Sequence, residues 1–288
     1  MARDTKDIEE GIVTHNDAYV NGNDHYSGDG TKGAALQRMI TAGTLPPDVF
    51  ERLYLQPQNT VAGDLRSRFG NPTAVGVMGF TVGITPLSIA LMGWRGAGGS
   101  AVATTGPTLF FGGMLLILAG VGEWILGNNF PFIVFMGYGA HFLSFGTTFI
   151  PYYNAVTAYS ENGLHASQFY ASFGFYPVAM CLLSFVFLIG ALRTNLIFFL
   201  VFVVATLGFA FASAGFFSLA LANNAYGETM IVATGACFFV AGILGWYLFA
   251  ALIIEIQEIP IPSLPLFDLS TKVKAKSLVR AAKEAKRS

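Results

Sequence analysis

From Ala74 to Met92 no charged residue interrupts the chain, and five more apolar stretches follow at similar length. They lie near 73–93, 103–124, 131–152, 170–192, 195–221 and 229–254, each close to the ~20 residues an α-helix needs to cross the hydrocarbon core of a bilayer. Short polar connections separate them: Trp94-Arg95-Gly96 to Ser100, Gly127-Asn128-Asn129, Tyr159 to Gly163 with His165, Arg193-Thr194-Asn195, and Asn223 to Glu228. The pattern predicts an all-α integral membrane protein whose six transmembrane helices occupy residues 68–256. A polar leader, 1–67, and a basic tail, 257–288, flank this domain. Residues 1–45, rich in Gly, Asn, Asp and Thr, are expected to be mostly disordered. Asp48 then caps a short amphipathic helix near 48–55, with Val49, Phe50, Leu53 and Tyr54 on one face.

Composition supports that class. The chain is 53% hydrophobic and 11% charged, against roughly 25% charged in soluble domains. Between Asn71 and Lys272 the only cationic side chains are Arg95 and Arg193. Lys272, Lys274, Lys276, Arg280, Lys283, Lys286 and Arg287 crowd the end, where they could meet anionic lipid or serve as a solvated topology signal. An even number of spans puts both termini on one side, and this basic cluster assigns that side to the cytoplasm. The first residues lack a basic-then-apolar signal peptide, so the first span is expected to serve as the targeting signal. Cys181 and Cys237 sit in apolar runs as packing residues, and no Cys/His spacing calls for a metal. No catalytic triad, phosphate-binding Gly loop or intramembrane carboxylate pair is present, which argues against an enzyme, a cofactor or a nucleic-acid partner.

The candidate chemistry begins where the leader ends. Asn71 suits an N-cap and Pro72 the first helical turn, where a missing N–H costs nothing. Such a start either simply opens the helix or offers its N–H groups and dipole to a carboxylate. Gly76, Gly79 and Gly83, with further glycines in the second and third spans, predict close helix packing. In the third span Tyr138, Phe142 and Phe145 share one face, and His141, Ser144 and Thr148 an adjacent stripe. His141 is either a proton carrier or a neutral donor at a helix interface. Glu123, beside Trp124 at the end of the second span, either reaches water or neutralises the helix start at Asn71.

Asn71-Pro72-Thr73-Ala74-Val75-Gly76-Val77-Met78-Gly79-Phe80 resembles the Asn-Pro-Ala-Pro-Leu-Gly-Leu-Met-Gly-Phe signature of the acetate uptake transporters, also called succinate–acetate permeases. The likeness continues in order through Phe110-Phe111-Gly112-Gly113, Ala119-Gly120 to Glu123-Trp124, Gly127-Asn128-Asn129-Phe130 and Gly137-Tyr138-Gly139. It covers about residues 66–256, and the long leader with the Phe145–Tyr153 region is similar to the fungal branch. The resemblance implies a plasma-membrane homo-hexamer of six-helix subunits, each passing acetate and related small monocarboxylates. It also implies a constriction of Phe, Tyr and Leu. Phe80 and Tyr138 match the first two, while the Leu position falls on Ala205, leaving a wider neck or one filled by Leu207 or Phe209. Ala74 replaces the second Pro of the signature, Leu116 a Gln of bacterial members, and His141-Phe142 stands where Phe-Trp is usual.

Taken together, Asn71, Pro72, Gly76, Phe80, Tyr138, Phe142 and Ala205 are the expected pathway residues, with His141 as the expected proton relay. A carboxylic acid has a pKa near that of Glu, about 4.3, so crossing a dry neck at neutral pH favours taking a proton along. Acetate, protons and the bilayer are therefore the expected partners. Two other functions compete. Ammonia or ammonium export would use His141 with Tyr138, and a membrane sensor or scaffold would signal through the tails.

Overall fold

The computed structural model describes residues 69–153, 155–161, 166–270 and 272–273. The helix expected near 48–55, the rest of the leader and the tail from 274 lie outside the described residues. Among the described residues the structure is helical, and its only extended pairing is an isolated bridge between Asn195 and Asp268. Six long helices follow in order: α1 (Pro72–Leu91), α2 (Val102–Ile125), α3 (Asn129–Thr148), α4 (Ala166–Ala191), α5 (Leu196–Ala220) and α6 (Asn224–Ile256). All but α3 are long and apolar enough to cross a membrane by themselves. Taken with the bent continuation Pro151–Tyr159, at 78° to it, α3 makes a sixth. Its shortfall is chemical: Tyr138, His141, Ser144, Thr147 and Thr148 dilute its apolar character.

Neighbouring helices run antiparallel and approach closely. Along α1, Ser88, Thr85 and Thr81 meet Gly235, Gly242 and Gly245 of α6 in reverse order. At Gly79 an added Cβ would lie 2.6 Å from the Phe111 carbonyl oxygen of α2, and at Gly83 it would lie 2.8 Å from the Gly112 Cα. Backbones at that separation leave room for hydrogen alone, which is how helices gain dispersion energy in lipid. The α2 face that receives them is a π-helical turn, Thr108–Leu115. Helix α4 breaks at Gly174, whose carbonyl accepts a hydrogen bond from the Ser213 hydroxyl of α5 at 3.0 Å. A break at membrane depth is tolerable because a neighbouring hydroxyl satisfies the freed group.

The chain after α6 does not leave the bundle at once. Leu266 is buried, the Leu196 N–H donates to the carbonyls of Leu266 and Phe267 (3.1 and 2.9 Å), and the Leu269 N–H donates to that of Thr194 (2.9 Å). The Tyr247 hydroxyl donates to the Pro265 carbonyl at 2.9 Å. This strap ties the end of α6 to the turn between α4 and α5.

Candidate functional site

At one end of the bundle the start of α1, the end of α2 and the start of α3 converge on a single carboxylate. Asn71 caps α1 by accepting from the Thr73 N–H at 2.9 Å, with Pro72 as the first helical residue. Glu123 is fully buried there, accepting from the Thr73 hydroxyl and from the Asn128 side-chain amide, the latter at 2.6 Å. Gly122 lets the Pro72 ring sit against α2, since a Cβ would fall 2.6 Å from the Pro72 Cβ. Of the two fates open to Glu123, the structure takes the buried one, and Trp124 beside it faces outward. The acceptor group beside the start of α1 is thus supplied from within the chain.

Tyr138, His141 and Phe142 fall on two sides of α3. Phe142 turns toward the small-residue seam, close to Gly112 and 3.6 Å from the Cβ position of Gly83. Tyr138 turns toward α4 and α5: its hydroxyl lies 2.8 Å from the Ser184 hydroxyl, and its ring lies 5.9 and 6.1 Å from those of Phe187 and Phe202. One turn along, the His141 ring stacks on Tyr176 at 5.6 Å, with Nδ1 2.8 Å from the Tyr176 hydroxyl, and meets the edge of Phe209 at 5.0 Å. Ser144 and Thr148, sharing the His141 stripe, return their hydroxyl protons to backbone carbonyls of α3. Both His141 and Tyr138 are buried, and the rings around them carry no charge.

The remaining expected residues occupy other faces. Gly76 receives the Phe135 ring, at 2.7 Å from its Cβ position, and half-buried Phe80 lies over Gly245 of α6. Ala205 is buried, whereas Leu207 is 47% exposed on the outside of the bundle and cannot fill a neck within it. Phe209 points inward, against His141 and Phe238. The structure therefore joins Asn71 and Pro72 at the helix-end cluster and gathers Tyr138 and His141 on the α4–α5 side of α3. Phe80 packs against α6. Thr73, Asn128, Tyr176 and Ser184 are the partners that sequence reasoning missed. Ser, Thr and Asn in apolar helices commonly back-bond to their own helix, so their presence alone carried little signal.

Residues 54–268 match the sequence profile of the GPR1/FUN34/yaaH family. The chain belongs to this family. Among GPR1/FUN34/yaaH relatives, protein alcS of Aspergillus fumigatus is 42% identical over 84% of this chain and 91% of its own length. The acetate transporter protein patA of Aspergillus clavatus is 30% identical over 70% of this chain and 79% of its own. Among solved structures, the bacterial acetate channel SatP superposes with a TM-score of 0.52 at 25% identity, covering 69% of this chain and 99% of that one. With its long apolar helices, the chain is accordingly a multi-pass membrane protein. The descriptions of patA and SatP as transporter and channel agree with the reading of this chain as a non-enzyme.

Proposed function

We propose that this protein is a membrane transporter or channel for acetate and related small monocarboxylates, working in the plasma membrane with each subunit of a homo-hexamer carrying its own pathway. The observation that carries the proposal is the match of the helical domain to a bacterial acetate channel across nearly the whole of that chain. In this reading Phe80, Tyr138 and Phe142 supply the aromatic surface of the pathway, with Ala205 leaving it room, while Gly76 gives its own space to the Phe135 ring. The start of α1 at Asn71 and Pro72 anchors that surface through Glu123. An apolar neck stops hydrated ions by dewetting, while a methyl group passes along aromatic rings at little cost. Transport is proton-coupled, with His141 and its partner Tyr176 as the relay. In support, His141 is the imidazole set within this aromatic cluster, hydrogen-bonded on Nδ1.

The test is labelled acetate uptake into proteoliposomes, with and without an inward proton gradient. The expected outcome is saturable uptake that rises with the gradient, falls at least about tenfold in Phe80→Ala or Tyr138→Ala, and loses its gradient stimulation in His141→Phe. Uptake no faster than in protein-free vesicles would sink the proposal. Ammonium flux in the same vesicles would then favour the export reading.

A further inference from the structure

The hydrogen-bond direction at Tyr138 can be fixed by counting protons. Ser184 owns one hydroxyl proton, and two oxygens lie within reach of it: the Met180 carbonyl at 2.7 Å and the Tyr138 hydroxyl at 2.8 Å. A carbonyl can only accept. If Ser184 gave its proton to Tyr138, two lone-pair oxygens would face each other at 2.7 Å in a buried site, leaving nothing to offset their repulsion. The consistent arrangement is a chain in which Tyr138 donates to Ser184 and Ser184 donates to Met180. Tyr138 has then spent its only proton and offers lone pairs alone. Around it stand Phe187 on α4 and Phe202 on α5. Cys181 on α4 is the titratable group that interacts with it, and the Cys181 thiol points to the Thr206 carbonyl at 3.4 Å. His141, one turn along α3, is engaged with Tyr176.

Resting on the transport reading above, we propose that Ser184 makes Tyr138 an acceptor-only station, so the pathway takes monocarboxylic acids in their protonated form and rejects the carboxylate. A carboxylate carries no proton and finds no donor at Tyr138, whereas the O–H of the neutral acid finds an oxygen that can accept it. Selection at Tyr138 falls on the protonation state of the substrate. Ser184 is a positioning residue here, acting through Tyr138.

The experiment follows initial acetate uptake against pH, at fixed total acetate and corrected for protein-free vesicles. Above the substrate pKa the wild-type rate should follow the neutral acid and fall about tenfold per pH unit, whereas Ser184→Ala, which frees the Tyr138 proton, should fall about threefold or less. Ser184→Thr keeps the hydroxyl and should restore the steep profile, which a merely structural role for Ser184 would not require. A second measurement needs no variant. Methanesulfonate, an anion across this pH range, should fail to compete with labelled acetate uptake by the wild-type protein, and acetamide, a neutral donor of similar size, should compete. A Ser184→Ala profile as steep as the wild type, or competition by methanesulfonate as strong as by unlabelled acetate, would overturn the acceptor-only station while leaving acetate transport standing. Absence of any wild-type acetate uptake would remove both.

Discussion

Glu123 shows how one buried side chain can fix three helices. Its carboxyl group accepts hydrogen bonds from the Thr73 hydroxyl at the start of α1 and from the Asn128 amide before α3 without leaving the bundle. Removing it withdraws the acceptor from two buried donors at once. We expect Glu123→Ala to lose about 1–3 kcal/mol of stability, read as a lower melting temperature in detergent, because unsatisfied buried donors cost that much. Glu123→Gln keeps an acceptor oxygen and should lose less. Equal melting temperatures for wild type and Glu123→Ala would mean that the contacts with Thr73 and Asn128 contribute nothing. At this scale the sequence was half legible. Asn71 as the cap followed from its position before Pro72, but the choice between water and the helix start for Glu123 needed the third helix, whose Asn128 no local pattern links to it.

At the scale of elements, the apolar runs located all six helices because charge is excluded from hydrocarbon and nothing else competes with that signal. Features that depend on what a helix packs against stayed hidden. The π-helical turn of α2 exists where Gly79 and Gly83 press on its backbone, and the break in α4 at Gly174 is held by a hydroxyl from α5. The strap was hidden for another reason. Pro260, Pro262 and Pro265 make residues 259–267 look like a linker, yet backbone hydrogen bonds to Thr194 and Leu196 seat it on the α4–α5 turn. Burial of Leu266 alone is worth about 1.5–3 kcal/mol. A chain ending at Ser263 should therefore aggregate earlier on heating than one ending at Val273, which keeps the strap and sheds most of the basic tail. Identical behaviour of the two truncations, measured by fluorescence-detected size-exclusion, would show the strap to be dispensable.

For the whole molecule the question is how many times the chain crosses the bilayer, since α3 alone falls short of a span and passes only with its bent continuation. The packing itself argues for six crossings. α1 and α6 run antiparallel, with Thr81 against Gly245 and Ser88 against Gly235, so the start of α1 and the end of α6 lie at the same end of the bundle. Five crossings would put these ends on opposite faces of the membrane, at odds with that contact order. Seven Lys and Arg follow α6 from Lys272 onward, and this basic cluster is the basis for expecting both termini in the cytoplasm. On that expectation the turn between α5 and α6, where Tyr226 is half exposed, should face outside. We expect tags fused at Met1 and at Ser288 both to resist protease in intact cells and both to be cut after permeabilisation. In a background with Cys181 and Cys237 replaced by Ser, Tyr226→Cys should react with an impermeant maleimide from outside. Tags on opposite sides would mean that α3 does not cross. Both tags outside, with Tyr226→Cys protected, would keep six spans and reverse the orientation that the basic tail assigns.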